Sequence, residues 1–370
     1  MHHPPRPRLL SRRRFLRQTA LLSGLTLAGC GWTLGNVGGQ SPATTSTDEL
    51  LIYTWSDYID EESVEAFTAQ TGITVRVAIY ESNETMLARM LAGGGNNYSI
   101  IYPSDYMVQQ MVELNLLREL DHDRLEGMDN LMEEFQDPSY DPGNRHSVPI
   151  SWGTTGLVYN TARLTDPVDD WRFLWEHQDR LRQRITLLSD VREVMGATLK
   201  SLGYSYNATD PQQINAAFQA LQTLKPAIAS FTTDAWREQI LAGDLLVSMA
   251  YSVDGITAMF EDDTLQYVIP QSGASLWTDA IVIPRTAPNV EGAYAWINYT
   301  LQPSAAARIS ERLSFATPNR VAYENLSDEL RENQALFPPP EVLDRCERIK
   351  PLDAATNELF DNYWTRLTSG

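Results

Sequence analysis

Cysteine, histidine and basic charge are all scarce in this chain, and each shortage removes a class of function. Two cysteines in 370 residues, Cys30 and Cys346, exclude the disulfide framework that holds small secreted domains together. Of five histidines, two fall in the first three residues, and His122, His146 and His177 are isolated, without metal-ligand spacing. A G-x-S-x-G elbow, a P-loop and a G-x-G-x-x-G turn are all missing, so no metal, no cofactor and no enzymatic activity are expected. Asp190 and Glu193 form the one carboxylate pair that suggests glycosidase-like acid–base work. They sit a single helical turn apart, which suits a shared binding face better. Against 48 Asp and Glu stand only 29 Lys and Arg, a net charge of −19. That balance argues against nucleic acid or anionic lipid as partner and favours a cation, although plain solubility also accounts for it.

What is present begins with an address. Ser11-Arg12-Arg13-Arg14-Phe15-Leu16-Arg17 reads as a twin-arginine export signal. The apolar run from Thr19 to Ala28 is about half the ~20 residues of a spanning helix, so it reads as a signal core and not an anchor. Leu27-Ala28-Gly29-Cys30 closes it and resembles a lipobox, which implies cleavage before Cys30 and a diacylglycerol on its thiol. Cys346 is then alone, and no intramolecular disulfide is expected. Residues 31–47 are rich in Gly, Ser and Thr, the composition of a flexible tether, so residues 1–29 are leader, 30–47 tether and the fold starts near Asp48. The leader carries six Arg and no acidic residue, leaving 23 basic against 48 acidic side chains, a mature net charge of −25.

The remaining ~320 residues suggest two domains. Leu50 to Trp55, Ile73 to Tyr80, Tyr98 to Tyr102, Gly156 to Tyr159, Ile185 to Leu188, Leu245 to Tyr251, Gln266 to Ile269 and Ala280 to Ile283 read as strands. Helical spacing falls at Val64, Phe67 and Thr71 before Gly72, from Glu84 to Leu91 behind an Asn83 cap, and from Tyr106 to Leu117. It recurs at Val191 to Leu202, Pro211 to Lys225, Ala235 to Ala242, Glu291 to Leu301 and Pro303 to Arg312. Alternation of this kind predicts an α/β protein with crossover units and parallel strands.

Ligands in open α/β sheets settle at the carboxyl ends of strands. Those places here carry Trp55-Ser56-Asp57-Tyr58, Pro103-Ser104-Asp105-Tyr106, Ser189-Asp190-Val191-Arg192-Glu193 and Tyr251-Ser252-Val253-Asp254-Gly255, with Trp277-Thr278-Asp279 just before the Ala280 strand. Taken singly, Asp57, Ser104 or Asp190 reads most simply as a helix cap, and a lone Trp or Tyr as core. Five aromatic–carboxylate coincidences suit a polyamine. Its ammonium groups need anionic acceptors, at about 1.5–3 kcal/mol net per bond. Its methylenes need flat apolar walls, and aromatic faces attract the cations by roughly 0.5–2 kcal/mol.

Tyr53-Thr54-Trp55-Ser56-Asp57-Tyr58-Ile59, Tyr80-Glu81-Ser82-Asn83-Glu84-Thr85-Met86, Tyr102-Pro103-Ser104, Ser151-Trp152-Gly153-Thr154-Thr155, Ser189-Asp190-Val191-Arg192-Glu193-Val194 and Thr317-Pro318-Asn319 resemble segments of the bacterial spermidine/putrescine-binding proteins, in order and over nearly the whole mature chain. The resemblance implies a two-lobed periplasmic-binding-protein fold of type II, each lobe a mainly parallel sheet flanked by helices, closing on ligand in the cleft. It implies lobes of residues 48–154 with 279–322 and 155–278 with 323–370. It also implies a monomer serving the membrane permease subunits of an ABC transporter. Ligand-binding residues carried over are Trp55, Asp57, Tyr58, Ser104, Tyr106, Asp190, Glu193, Tyr251, Asp254, Trp277 and Asp279. Tyr251 stands where the family has Trp, Phe315 where spermidine-preferring members have Tyr, and Thr365 where they have Gln. Asp254 resembles putrescine-preferring members, so the choice between the two amines stays open. A ferric-ion carrier is the competing binding function, disfavoured because such sites want adjacent tyrosines.

Overall fold

The computed structural model describes residues 48–56 and 58–369. Strand β1 (Glu49–Thr54) buries Leu50, Ile52 and Thr54 toward one side and Tyr53 toward the other, so both of its faces are covered. It is accordingly interior, with β2 (Thr74–Ile79) and β3 (Ile100–Ile101) running parallel on its two edges. Helix α1 (Glu61–Thr71) makes the first crossover. Asp60 caps it by accepting from the Ser63 N–H, Phe67 anchors it in the core, and Gly72 ends it in the left-handed conformation at φ 75°. Phe67 packs edge-on to Trp296, whose indole donates to the Tyr102 hydroxyl at 2.7 Å.

Helix α2 (Asn83–Leu91) follows β2 and α3 (Asp105–Glu113) follows β3. Strand β4 (Ser147–Asn160) is the longest and is buried along almost its whole length. Further strands are β5 (Ile185–Leu187), β6 (Ile228–Phe231), β7 (Val247–Tyr251), β8 (Leu265–Val268) and β9 (Leu276–Val282). Helix α4 (Val191–Ser201) follows β5, and α5 (Ser252–Glu261) follows β7 without a break. The strand order is β2-β1-β3-β9-β4-β7-β5-β6, with β8 also on β4. Parallel ladders occupy the two ends, β2–β1–β3 and β7–β5–β6, while every pair involving β9 or β4 is antiparallel. Residues Ser147 to Thr154 of β4 pair with β9, and from Thr155 onward the same strand pairs with β7.

Several boundaries differ from the sequence reading. The segment from Tyr98 to Tyr102 holds only the two-residue β3, because a single pair reaches across to β9. The expected strand at Gly156 to Tyr159 is the end of β4, whose Ser and Thr residues broke up its apolar signal although they are buried. Trp277 and Asp279 lie inside β9 and not ahead of it. Ser82 caps α2 through the Thr85 N–H, leaving Asn83 for another task. Helix α3 stops at Glu113, and Asn115 takes a left-handed φ of 59°. Cys346 is a half-buried free thiol; Cys30, the leader and the tether lie outside the described residues.

Candidate functional site

The carboxyl ends of β1, β3, β5 and β7 converge with the middle of β9 around one cavity of about 250 Å³. Trp55, Tyr58, Ser104, Tyr106, Asp190, Glu193, Tyr251, Asp254, Trp277 and Asp279 all line it. Asp57 falls outside the described residues. Phe315 lines the cavity, its ring 4.3 Å from that of Tyr58, whereas Thr365 is exposed on the C-terminal helix and is not among the lining residues.

Asp279 sits 5% exposed at the base of the site, opposite Ser151 in the β4–β9 ladder. One carboxylate oxygen accepts from the Tyr58 hydroxyl, which also meets Ser151 Oγ at 2.8 Å; the other accepts from Ser104 Oγ at 2.7 Å. Ser104 holds the N-cap position of α3 yet makes no capping bond with its side chain. Its hydroxyl is given to Asp279, and Asn83 fixes it, accepting from the Ser104 N–H and donating to Oγ at 3.1 Å. All donors to Asp279 are neutral, and no Lys or Arg among the described residues pairs with it. Burial therefore pushes its carboxyl up to about 7, against the pull of the two hydroxyls.

The opposite wall begins at α4. Asp190 is its N-cap: one oxygen accepts from the N–H groups of Arg192 and Glu193 at 2.8 and 3.1 Å, so the capping reading holds for that atom. The other oxygen faces Tyr251, whose hydroxyl approaches it at 3.4 Å. Glu193, one turn on, accepts from Ser275 and from Tyr206 at 3.0 Å. Burial, then the charge of Asp190, raises the Glu193 carboxyl to about 8. Asp254 stands in the first turn of α5 and not at its cap. Asp105 differs from the others, since Arg348 bonds it at 3.0 Å; burial still lifts it to about 6.

Aromatic rings fill the intervals. Trp277 meets Tyr251 edge-on at 5.9 Å, and Trp55 meets Tyr80 at 4.5 Å while donating its indole N–H to the Tyr102 carbonyl. The Trp277 ring lies over Gly153, its partner in the ladder, where a Cβ would come within 2.5 Å of the ring. Any larger residue at 153 would displace that wall. Tyr80, Asn83 and Arg237 also face the cavity and are not among the ligand-site residues named from sequence, where Asn83 reads as a helix cap. Tyr80 and Asn83 lay within a motif already noted, but nothing in the motif said which way they point.

A family model for bacterial extracellular solute-binding proteins matches residues 62–338. The spermidine/putrescine-binding periplasmic protein of Salmonella typhimurium is 32% identical over 335 residues, covering 90% of this chain and 95% of that protein. A putrescine-binding periplasmic protein of Pseudomonas aeruginosa is 30% identical over 366 residues, covering 94% and 98%. Among solved structures, the spermidine/putrescine ABC transporter substrate-binding protein of Streptococcus pneumoniae superposes with a TM-score of 0.74 at 34% identity, covering 87% of this chain and 99% of that one. The chain thus belongs to the bacterial extracellular solute-binding proteins. Its α/β fold is that of the periplasmic binding proteins, and no helix among the described residues is long and apolar enough to cross a membrane.

Proposed function

We propose that this chain captures polyamines, spermidine or putrescine, outside the cytoplasmic membrane and hands them to the permease subunits of an ABC importer. The observation that carries the reading is the state of Asp279 and Glu193. Both are buried, both face a cavity walled by aromatic rings, and both have carboxyls driven toward neutrality by desolvation, with no basic partner among the described residues. An entering ammonium group supplies the missing counter-charge, and its methylenes pack on Trp55, Tyr58, Tyr106 and Trp277. The names of the relatives point the same way. Ferric ion fits less well: burial beside carboxylates raises the hydroxyls of Tyr58, Tyr106 and Tyr251 well above their usual range, opposing the phenolates such a metal requires.

The finer parts of the reading rest on the sequence. The mature chain is exported by the twin-arginine route, held by a lipid on Cys30 and acts as a monomer without cofactor or enzymatic turnover. Its two lobes, 48–154 with 279–322 and 155–278 with 323–370, close over the ligand. The handover of β4 from β9 to β7 between Thr154 and Thr155 gives such a motion a place to bend. Calorimetry of the purified protein with spermidine, putrescine, ferric ion and an oligosaccharide tests the function. Saturable binding of either amine alone is expected, and binding of only the metal or the sugar overturns it.

A further inference from the structure

Three consecutive residues open α2, and each has a separate task. Ser82 caps the helix, Asn83 clamps Ser104 against Asp279, and Glu84 accepts the Tyr106 hydroxyl at 2.9 Å. Glu84 does not line the cavity itself; Tyr106 stands between it and the open space. Across Tyr106 lies the start of α4. The Arg192 guanidinium sits 5.4 Å from the Tyr106 ring centre, and the charge of Asp190 acts on both Tyr106 and Glu84. Two carboxylates, from α2 and α4, therefore flank one tyrosine of the ligand wall.

We propose that Glu84 is a positioning residue that supplies a second negative charge to the ammonium group held at Asp190, and that it orients Tyr106 beneath that group. The inference rests on the polyamine reading and extends it to a residue outside the cavity lining. Arg192 is a poor substitute for the ligand's charge. It is buried, its Nε lacks a partner among the described residues, and its guanidinium donates to the Lys350 carbonyl at 2.9 Å instead of to either carboxylate. The groups facing Glu84 are Tyr106 from α3 and Asp190 and Arg192 from α4. Burial, followed by the Asp190 charge, lifts the Glu84 carboxyl to about 7. A cation arriving at Asp190 reverses that balance, and Glu84 ionises as the ligand binds.

Glu84→Gln tests this, because the amide oxygen keeps the Tyr106 hydrogen bond while the charge is lost. Putrescine and spermidine affinities are measured by calorimetry for wild type, Glu84→Gln and Tyr106→Phe, with melting curves confirming that each variant folds. At about pH 8 the Gln variant is expected to bind on the order of tenfold more weakly, the effect of a unit charge roughly 10–12 Å away at an effective dielectric near 20. At about pH 6 the wild-type Glu84 already holds its proton, so the gap closes to about twofold. Tyr106→Phe loses the hydrogen bond but keeps the charge, so it still depends on pH, with the change moved to higher pH because that hydrogen bond favours the ionised Glu84. Wild-type affinity in Glu84→Gln at both pH values overturns the proposal. So does an equal loss at both, which marks a merely structural role. Failure of the wild type to bind either amine would instead overturn the polyamine reading itself.

Discussion

Asp279→Asn should move stability and affinity in opposite directions. In the ligand-free protein the Asp279 carboxyl is raised from 3.8 to about 7, with burial the dominant cause. A carboxyl raised on folding binds protons more tightly in the native state. Stability is then highest when it is protonated and declines as pH rises from about 4 to about 7. Three pH units at 1.36 kcal/mol each put the cost of an ionised, ligand-free Asp279 at about 4 kcal/mol above neutrality. Asparagine cannot ionise and keeps an oxygen for Tyr58 or Ser104. The variant should therefore melt higher than wild type at about pH 8, with the advantage vanishing toward about pH 4. Affinity behaves oppositely, since a desolvated ammonium left without its counter-charge costs about 2–5 kcal/mol, roughly 30- to several-thousand-fold. Melting curves across pH and calorimetry with both amines measure the two effects. A variant that binds both amines like wild type, or whose melting point shifts equally at acid and alkaline pH, would refute the argument.

Asp254→Asn should weaken putrescine more than spermidine, because a short diamine has fewer alternative acceptors than a longer triamine. Titration with both amines at fixed salt checks it, and equal losses would remove Asp254 from selectivity. Polyamine should reduce the radius of gyration in X-ray scattering and change tryptophan fluorescence through Trp55 and Trp277; unchanged scattering at saturation would count against lobe closure. Cys30→Ala should release the protein from the membrane fraction, and Lys in place of both Arg12 and Arg13 should block export. Retention of the first variant or normal export of the second would contradict the leader reading.

Much of the element order is visible in the chain itself, for local reasons. Gly72 after an apolar 3.6-residue spacing stops α1, an apolar and aromatic run marks β1, and a β-branched run marks β2. The long β4 resisted the same treatment: its Ser147, Ser151, Thr154 and Thr155 are buried through ladder and hydroxyl bonds that no local pattern announces. Helix capping was ambiguous for the same reason. Asp190 caps its helix as its type suggests, whereas Ser104, equally suited to cap, turns its hydroxyl to a carboxylate 175 residues away.

Residue types and their order determined the family, the acidic and aromatic inventory, and the strand ends where that inventory collects. Those properties are carried by each short segment independently and survive without the fold. Tertiary structure decided which of these side chains meet and what their charges do. Tyr58, Ser104, Ser151 and Asp279 come together only because β1, β3, β4 and β9 lie side by side, and Glu84 reaches the site only through Tyr106. Desolvation belongs to an enclosure and not to a residue. The same aspartate that would ionise below pH 4 in an open chain is held near neutrality here, because the sheet and its loops have shut water and counter-charge away from it.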